Sequence, residues 1–311
     1  MIKRVVEISS GPAHLSIQHR QLVIERPEQE PATVPCEDLG VLLVDHPAVT
    51  YTHRVFTALA EVGAAVVLCG PKHLPSSLLL PLDANAVQTE RQRAQLEASL
   101  PLKKRLWQTI VFAKLRQQAA VLKVFLGEDA GLAELARRVR SGDPENLEAQ
   151  GSQRYWPRLF GRSFRRDREG DPPNNLLNYG YMALRAAMAR ALCGAGLLPT
   201  LGLHHHNRYN PFCLADDLIE PYRPFVDWRV RNFVADKEAP EFLDREAKEA
   251  VLSLFNETIE INDRRSPLFL AVHSTAASLN DSFSQGEPLL ALPQGLPLLD
   301  ETTDEAPGHP E

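Results

Sequence analysis

The chain has 311 residues, 44% hydrophobic and 24% charged, which suits about two ordinary domains and excludes a peptide, a disulfide scaffold or a wholly disordered chain. The net charge of -6 is unevenly placed: no Lys or Arg follows residue 266, so residues 1–266 carry +1, and residues 101–190 hold 17 Lys and Arg against 9 Asp and Glu. A uniformly acidic protein is thereby excluded, and a polyanionic partner is allowed.

The first segments are short and β-rich. Arg4 to Ile8, His14 to Gln18, Gln21 to Glu25, Val41 to Val44 and Ala65 to Cys69 are separated by Gly, Pro and polar turns, which predicts a small sheet. Val55, Leu59 and Val62 at helical spacing predict one helix over 52–62. From Ala86 onward the period changes: Leu102, Leu106, Ile110 and Lys114, flanked by Val111 and Leu115, then Leu132, Leu135 and Val139, recur at three and four. The expected fold class is therefore α+β, with a small N-terminal β-rich domain over 1–85 and a larger all-α domain over 86–285. Residues 286–311, acidic and Pro-rich, are expected to form a loose tail. Residues 162–174 lack an apolar period and read as a basic loop, followed by a long helix over 175–195.

Ala191 to Leu203, the longest weakly polar run, is too short to cross a bilayer and contains Pro199. The start, Met1 to Glu7, lacks the apolar core of a secretory signal, so a cytoplasmic protein with no membrane partner is expected. Cys36, Cys69, Cys193 and Cys213 are widely separated and read as core thiols, and neither a P-loop nor a dinucleotide glycine fingerprint is present.

The stretch Leu201 to Pro221 carries the densest chemistry: His204, His205 and His206, then Asp216, Asp217 and Glu220. Asn210 as N-cap and Pro211 at the first turn predict a helix that ends or kinks near Pro221. At 100° per residue its Phe212, Ala215 and Ile219 share one face, while Asp216, Asp217 and Glu220 gather opposite with Cys213, where they suit a cation. The histidines are expected in an extended segment after Gly202, where His205 points one way and His204 and His206 the other, and spacing alone does not choose between them. One imidazole with carboxylates is mostly hard oxygen, which favours Mg²⁺ or Mn²⁺ over the metals of thiolate sites. The same acids also suit a plain solvated helix face. A second acid-bearing helix is predicted after Asp143 and Pro144, with Leu147, Gly151, Tyr155 and Leu159 packing inward, Glu148 beside that stripe and a bend near Pro157.

These blocks, in order, resemble the CRISPR-associated endonuclease and integrase Cas one, the protein of spacer acquisition. The resemblance covers most of the chain. Its residues are Glu148-Ala149 followed by Tyr155-Trp156, the run Asn175 to Leu184, Gly196-Leu197-Leu198-Pro199, Leu201-Gly202-Leu203-His204-His205, and Asp217 to Pro224. The His-His-Asn-Arg-Tyr-Asn and Asp-Leu-Ile-Glu-Pro runs look like the branch that accompanies single-effector (type II) systems.

The resemblance implies catalytic metal ligands at Glu148, His205 and Glu220, with the middle histidine chosen by its Gly-apolar-x step. It also implies a β domain that pairs into a homodimer, a helical catalytic domain, and the partner Cas two. The implied reaction inserts a short double-stranded foreign fragment at a CRISPR repeat: a DNA 3′-hydroxyl attacks a phosphodiester and displaces a 3′-oxygen. A divalent ion would stabilise the charge, and water could replace the hydroxyl in a nuclease mode. Arg158, Arg162, Arg165 and Arg166, together with Arg168, are candidate phosphate contacts in the basic region. The family motif suggests that Asn178 and Tyr179 also touch DNA. A nuclease that processes branched DNA without integration would share the same residues; a non-enzymatic DNA-binding scaffold would use the acids only to pair with arginines; a small-molecule metal hydrolase would leave the basic region unused.

Overall fold

The computed structural model describes residues 3–70, 75–235 and 237–297. Short β-branched runs broken by turns form the strands β1 (Arg4–Ile8), β2 (Ala13–Gln18), β3 (Gln21–Glu25), β4 (Ala32–Pro35), β5 (Leu39–Val44) and β6 (Val49–Tyr51). Helix α1 (His53–Glu61) leads into β7 (Ala65–Cys69) and β8 (Pro75–Leu79). They form two four-stranded sheets, where a single small one was expected. The order in the first is β1-β5-β7-β8, parallel through β7 and closed by antiparallel β8; the second runs β4-β3-β2-β6.

The first sheet is covered on both faces, and for that reason Val41 to Val44 form an unbroken apolar run. Successive side chains in a strand point to opposite sides. Leu42, Val44 and Val66 thus join a small core with Leu15, Leu22, Ile24 and Leu59. Val41, Leu43, Ala65 and Val67 join the large core of the helices. At Gly40 a Cβ would lie 2.2 Å from the Phe269 ring, so the sheet and the helical part meet there without room for a side chain.

Helices follow: α2 (Gln88–Glu97), α3 (Leu100–Leu126), α4 (Leu132–Arg137), α5 (Leu147–Leu159), α6 (Asn174–Gly194), α7 (Cys213–Ile219), α8 (Arg223–Phe233) and α9 (Arg245–Leu252). The hairpin β9 (Thr258–Ile261) and β10 (Arg264–Pro267) precedes α10 (Leu268–Gln285). The hairpin corrects the expectation of an all-α second part. Its turn residues Asn262 and Asp263 both have positive φ, 51° and 56°, as a two-residue hairpin that follows the strand twist requires.

Helix α3 is the axis of this part, about 40 Å long at 1.5 Å per residue. Ser99 Oγ accepts from Leu102 N at 3.3 Å at its start, and Gly127 ends it in the left-handed conformation at φ 74°. It is buried on more than one side because α5 and α8 both pack on it.

The expected loose tail is corrected over its first dozen residues. Leu290, Ala291 and Leu292 are buried. Thr275 Oγ1 donates to Ala291 O at 2.7 Å, Gln117 Nε2 to Pro293 O at 2.7 Å, and Gln294 N to Glu260 O at 2.8 Å. Three adjacent apolar side chains, two paired carbonyls and a paired N–H outweigh the proline content there. The acids from Asp300 onward lie outside the described residues.

Candidate active site

Helix α5 carries Glu148 in its first turn, beside the buried stripe Leu147, Gly151, Tyr155 and Leu159, the stripe that its spacing predicted. Asn146, in the left-handed conformation at φ 52°, turns the chain into the helix, and the Asp143 carboxylate accepts from Leu147 N at 2.9 Å and Glu148 N at 3.0 Å. The start of the helix is therefore satisfied from four residues upstream. Gly151 lets α5 close on α3: a Cβ there would meet Leu115 Cδ2 at 2.1 Å. That approach sets Glu148 over the middle of α3.

Glu220 begins a 3-10 turn, Glu220–Tyr222, that joins α7 to α8 and also packs on α3. The two acids, 72 residues apart in sequence, meet at one cation. Lys114 Nζ pairs with Glu148 Oε1 and lies 2.5 Å from Glu220 Oε2. The Lys114 side chain is 8% exposed and that of Glu220 7%. Arg223 Nε stands 3.2 Å from Glu220 Oε1 as a charge contact without hydrogen-bond alignment. Burial pushes the Glu220 carboxyl up, but Arg223 and then Lys114 outweigh it and hold its pKa at about 2. For Lys114, burial opposes the charge while Glu220 and Glu148 more than restore it, leaving its pKa above the ordinary lysine value.

The histidine segment is not extended, which corrects the alternation expected of it. Asp217 is fully buried, and its two oxygens tie the segment into a loop. Oδ2 accepts from Leu203 N at 2.6 Å and His204 N at 2.9 Å; Oδ1 accepts from His205 N at 3.4 Å and His205 Nδ1 at 2.5 Å. The Asp217 hydrogen bond, working against partial burial, raises the His205 pKa. With Nδ1 tied to a carboxylate, Nε2 is the nitrogen left for a ligand. His204 stacks flat on Trp107 at 4.2 Å and His205 meets the same ring edge-on at 5.6 Å, so both rings share one wall. Burial lowers the His204 pKa.

The expected acidic face of α7 also resolves differently: all of Cys213–Ile219 is buried. Asp216 is taken by Arg185, whose Nε and Nη2 reach its two oxygens at 2.6 and 2.8 Å. Asp217 serves the loop, and of the three acids only Glu220 faces Lys114. Sequence reasoning missed Lys114, yet its signal was present, a lysine recurring on the apolar period of α3. The role of Asp217 had no such signal.

Among the described residues no three His, Cys, Asp or Glu side chains are gathered to hold a metal ion as the structure stands. The donor types nevertheless suit a hard divalent ion. Two carboxylates already converge on one positive charge, and the His205 imidazole lies near enough for its charge to act on Glu220.

Of the candidate DNA contacts, Arg158, Arg162 and Arg165 are exposed, Arg158 standing 3.5 Å from Glu128. Arg166 is drawn inward: it donates to Asn174 Oδ1 at 3.0 Å and Asn178 Oδ1 at 2.7 Å and lies over the Tyr181 ring. Asn178 Nδ2 in turn holds Arg168 O at 2.8 Å. These links order the basic loop and line a pocket of 260 Å³ shared by Arg166, Arg168, Arg185 and Arg223. Because Arg223 also touches Glu220, the pocket adjoins the acids. Tyr179 is 1% exposed, facing Glu7 near Lys248 and Asp45, so its ring reaches no surface that DNA could touch. An apolar helix face buries an aromatic ring more readily than it displays one.

A family model described as CRISPR associated protein Cas1 matches residues 6–257. The chain is 37% identical over 306 residues to the CRISPR-associated endonuclease Cas1 of Neisseria meningitidis serogroup C (strain 8013), covering 96% of this chain and 98% of that one. Among solved structures, a casposase bound to integration product is similar at a TM-score of 0.75 and 17% identity, covering 93% of this chain and 92% of that one. A chain of a Cas6-RT-Cas1–Cas2 complex is similar at 0.69 and 17% identity, over 92% of this chain and 35% of that one. At these identities the structural likenesses show a shared fold.

Proposed function

Since this chain belongs to the Cas1 family of CRISPR-associated endonucleases, we propose that it is a metal-dependent DNA integrase that inserts short double-stranded fragments into a CRISPR repeat, with hydrolysis as a side reaction of the same site. The observation that carries this reading is the meeting of Glu148 and Glu220, from separate helices, at one cation-holding point beside His205 and a pocket of four arginines.

Glu148, Glu220 and His205 Nε2 would hold Mg²⁺ or Mn²⁺. When bound, the ion supplies Lewis-acid stabilisation of the charge on the phosphoryl group and the departing 3′-oxygen. Asp217 keeps the His205 proton on Nδ1 and the ring in place. Arg223, fixed against Glu220, and its neighbours Arg166, Arg168 and Arg185 would seat a backbone phosphate next to the reacting one, which converts a two-body encounter into a held geometry. Exposed Arg158, Arg162 and Arg165 would extend the track for DNA outside the pocket. A homodimer acting with Cas2, which accompanies Cas1 in one of the similar solved complexes, would present two such sites to the two ends of one fragment.

The test is strand joining. Purified protein, with and without Cas2, is incubated with Mn²⁺, a labelled oligonucleotide duplex and a supercoiled repeat-bearing plasmid. Covalent joining is expected, lost in Glu148→Ala and His205→Ala while DNA affinity stays within about threefold, since neither residue is a phosphate contact. Cleavage without joining under all conditions would favour the branched-DNA nuclease, and joining by both variants would overturn the site.

A further inference from the structure

Lys114 lies in the middle of α3 between buried Val111 and Leu115, and its side chain is nearly as enclosed as theirs. A lysine in such a place is costly unless its charge is met. It is met twice, by Glu148 and by Glu220, and the two carboxylates are in turn kept from repelling each other by the ammonium between them. The same point is where an ion held by both acids would sit. An ammonium and a divalent ion are like charges and do not share that point in a buried setting. The lysine stem is flexible and its charge compact, so it can withdraw.

Resting on the metal-dependent reading above, we propose that Lys114 is a resident counter-cation: it holds the Glu148 and Glu220 carboxylates together in the metal-free protein, and a divalent ion binds by displacing it, so Lys114 sets the metal affinity of the site. The arrangement gives the metal-free enzyme a half-buried Glu148 and a buried Glu220 with a cation between them, in place of two acids facing each other across an empty point. The ammonium occupies the point on which the ligands would converge.

The experiment uses the full chain and Mn²⁺ alone as probe. Mn²⁺ affinity is measured by calorimetry for the wild type, Lys114→Met and Lys114→Arg, with Glu148→Ala to identify the site, and Tm is recorded with and without the ion. Lys114→Met, similar in length and uncharged, should bind Mn²⁺ about tenfold or more tightly, within the usual range of coupling between sites. Its metal-free Tm should fall and its rise on adding Mn²⁺ should exceed that of the wild type. Lys114→Arg keeps the charge and should bind no more tightly than the wild type. Equal or weaker Mn²⁺ binding by Lys114→Met overturns the proposal while leaving the metal reading intact; no Glu148-dependent Mn²⁺ binding in any of the proteins overturns both. Should Lys114→Met fail to fold, wild-type crystals soaked in Mn²⁺ decide: an ion between the two carboxylates with Nζ moved away supports displacement, and Nζ still bridging both refutes it.

Discussion

Replacing Asp217 by Asn keeps the shape of the side chain and exchanges one acceptor oxygen for a donor. The four donors around Asp217 divide between its oxygens: Leu203 N and His204 N share Oδ2 at 2.6 and 2.9 Å, while His205 N at 3.4 Å and His205 Nδ1 at 2.5 Å share Oδ1. The amide oxygen will keep the two short backbone bonds, because losing them would orphan two donors beside a fully buried group. The amide nitrogen then faces His205. It donates to Nδ1 and drives the ring proton to Nε2, the nitrogen that would take the metal. The folding cost is one long backbone bond and the weakening of two charge-assisted bonds, about 2 kcal/mol in all, or a Tm lower by about 4 °C. The functional cost is larger, about 10–100-fold in Mn²⁺ affinity and in strand joining, as expected when the partner that orients a metal-binding histidine is changed. The His205 pKa, raised chiefly by the Asp217 hydrogen bond, should drop. Its raised value means that His205 contributes stability in full below about pH 6.5 and loses it as pH rises through the folded pKa, so this pH dependence should shrink in the variant. Thermal denaturation, calorimetry with Mn²⁺ and an NMR titration of the ring measure the three quantities. Wild-type Mn²⁺ affinity together with an unchanged ring titration would refute the reasoning.

Two further outcomes follow from other parts of the site. Gly202→Ala places a Cβ 2.2 Å from the His205 carbonyl oxygen and 3.0 Å from Asp217 Oδ2; the backbone must shift, costing about 1–3 kcal/mol, and joining should be lost with a Tm lower by several degrees. Asp227 is buried, and burial raises its pKa to about 7 even though Tyr181 and Tyr155 donate to it. Its folded pKa lies above the unfolded value, so stability is lost as pH rises toward 7. Asp227→Asn, which carries no charge to bury, should therefore gain on the wild type by about 3 kcal/mol between pH 5 and pH 8 in urea unfolding, at about 1.4 kcal/mol per pH unit over two units. A gap independent of pH would remove Asp227 from that account.

Much of the local structure was legible from residue order alone, since strand and helix periods are set by nearest neighbours. β1 and β3 fall on the runs expected of them, α1 within one residue at each end, and the stripe of α5 is the one its spacing implied. The candidate metal ligands were also in view, because the blocks around Glu148, His205 and Glu220 are contiguous in sequence and carry the family resemblance. The short strands β4, β6 and β8 were not, because each gains its stability from pairing with a neighbour and too little from its own residues. The docked segment 287–297 was hidden for the same reason: its apolar residues matter only because α10 and α3 offer a surface to cover.

Charge partnership was the property least accessible from sequence. Asp216, Asp217 and Glu220 are chemically alike and close in the chain, yet one neutralises Arg185, one caps a loop and one faces Lys114. A carboxylate takes its role from whichever donor the packing of distant helices brings within about 3 Å, and Coulomb and hydrogen-bond energies fall off steeply beyond that. Composition and periodicity thus determined which residues were available for a cation site and which elements would carry them. The close approach of α5 to α3 at Gly151, together with the turn that swings Glu220 back onto the same helix, decided which of those residues meet.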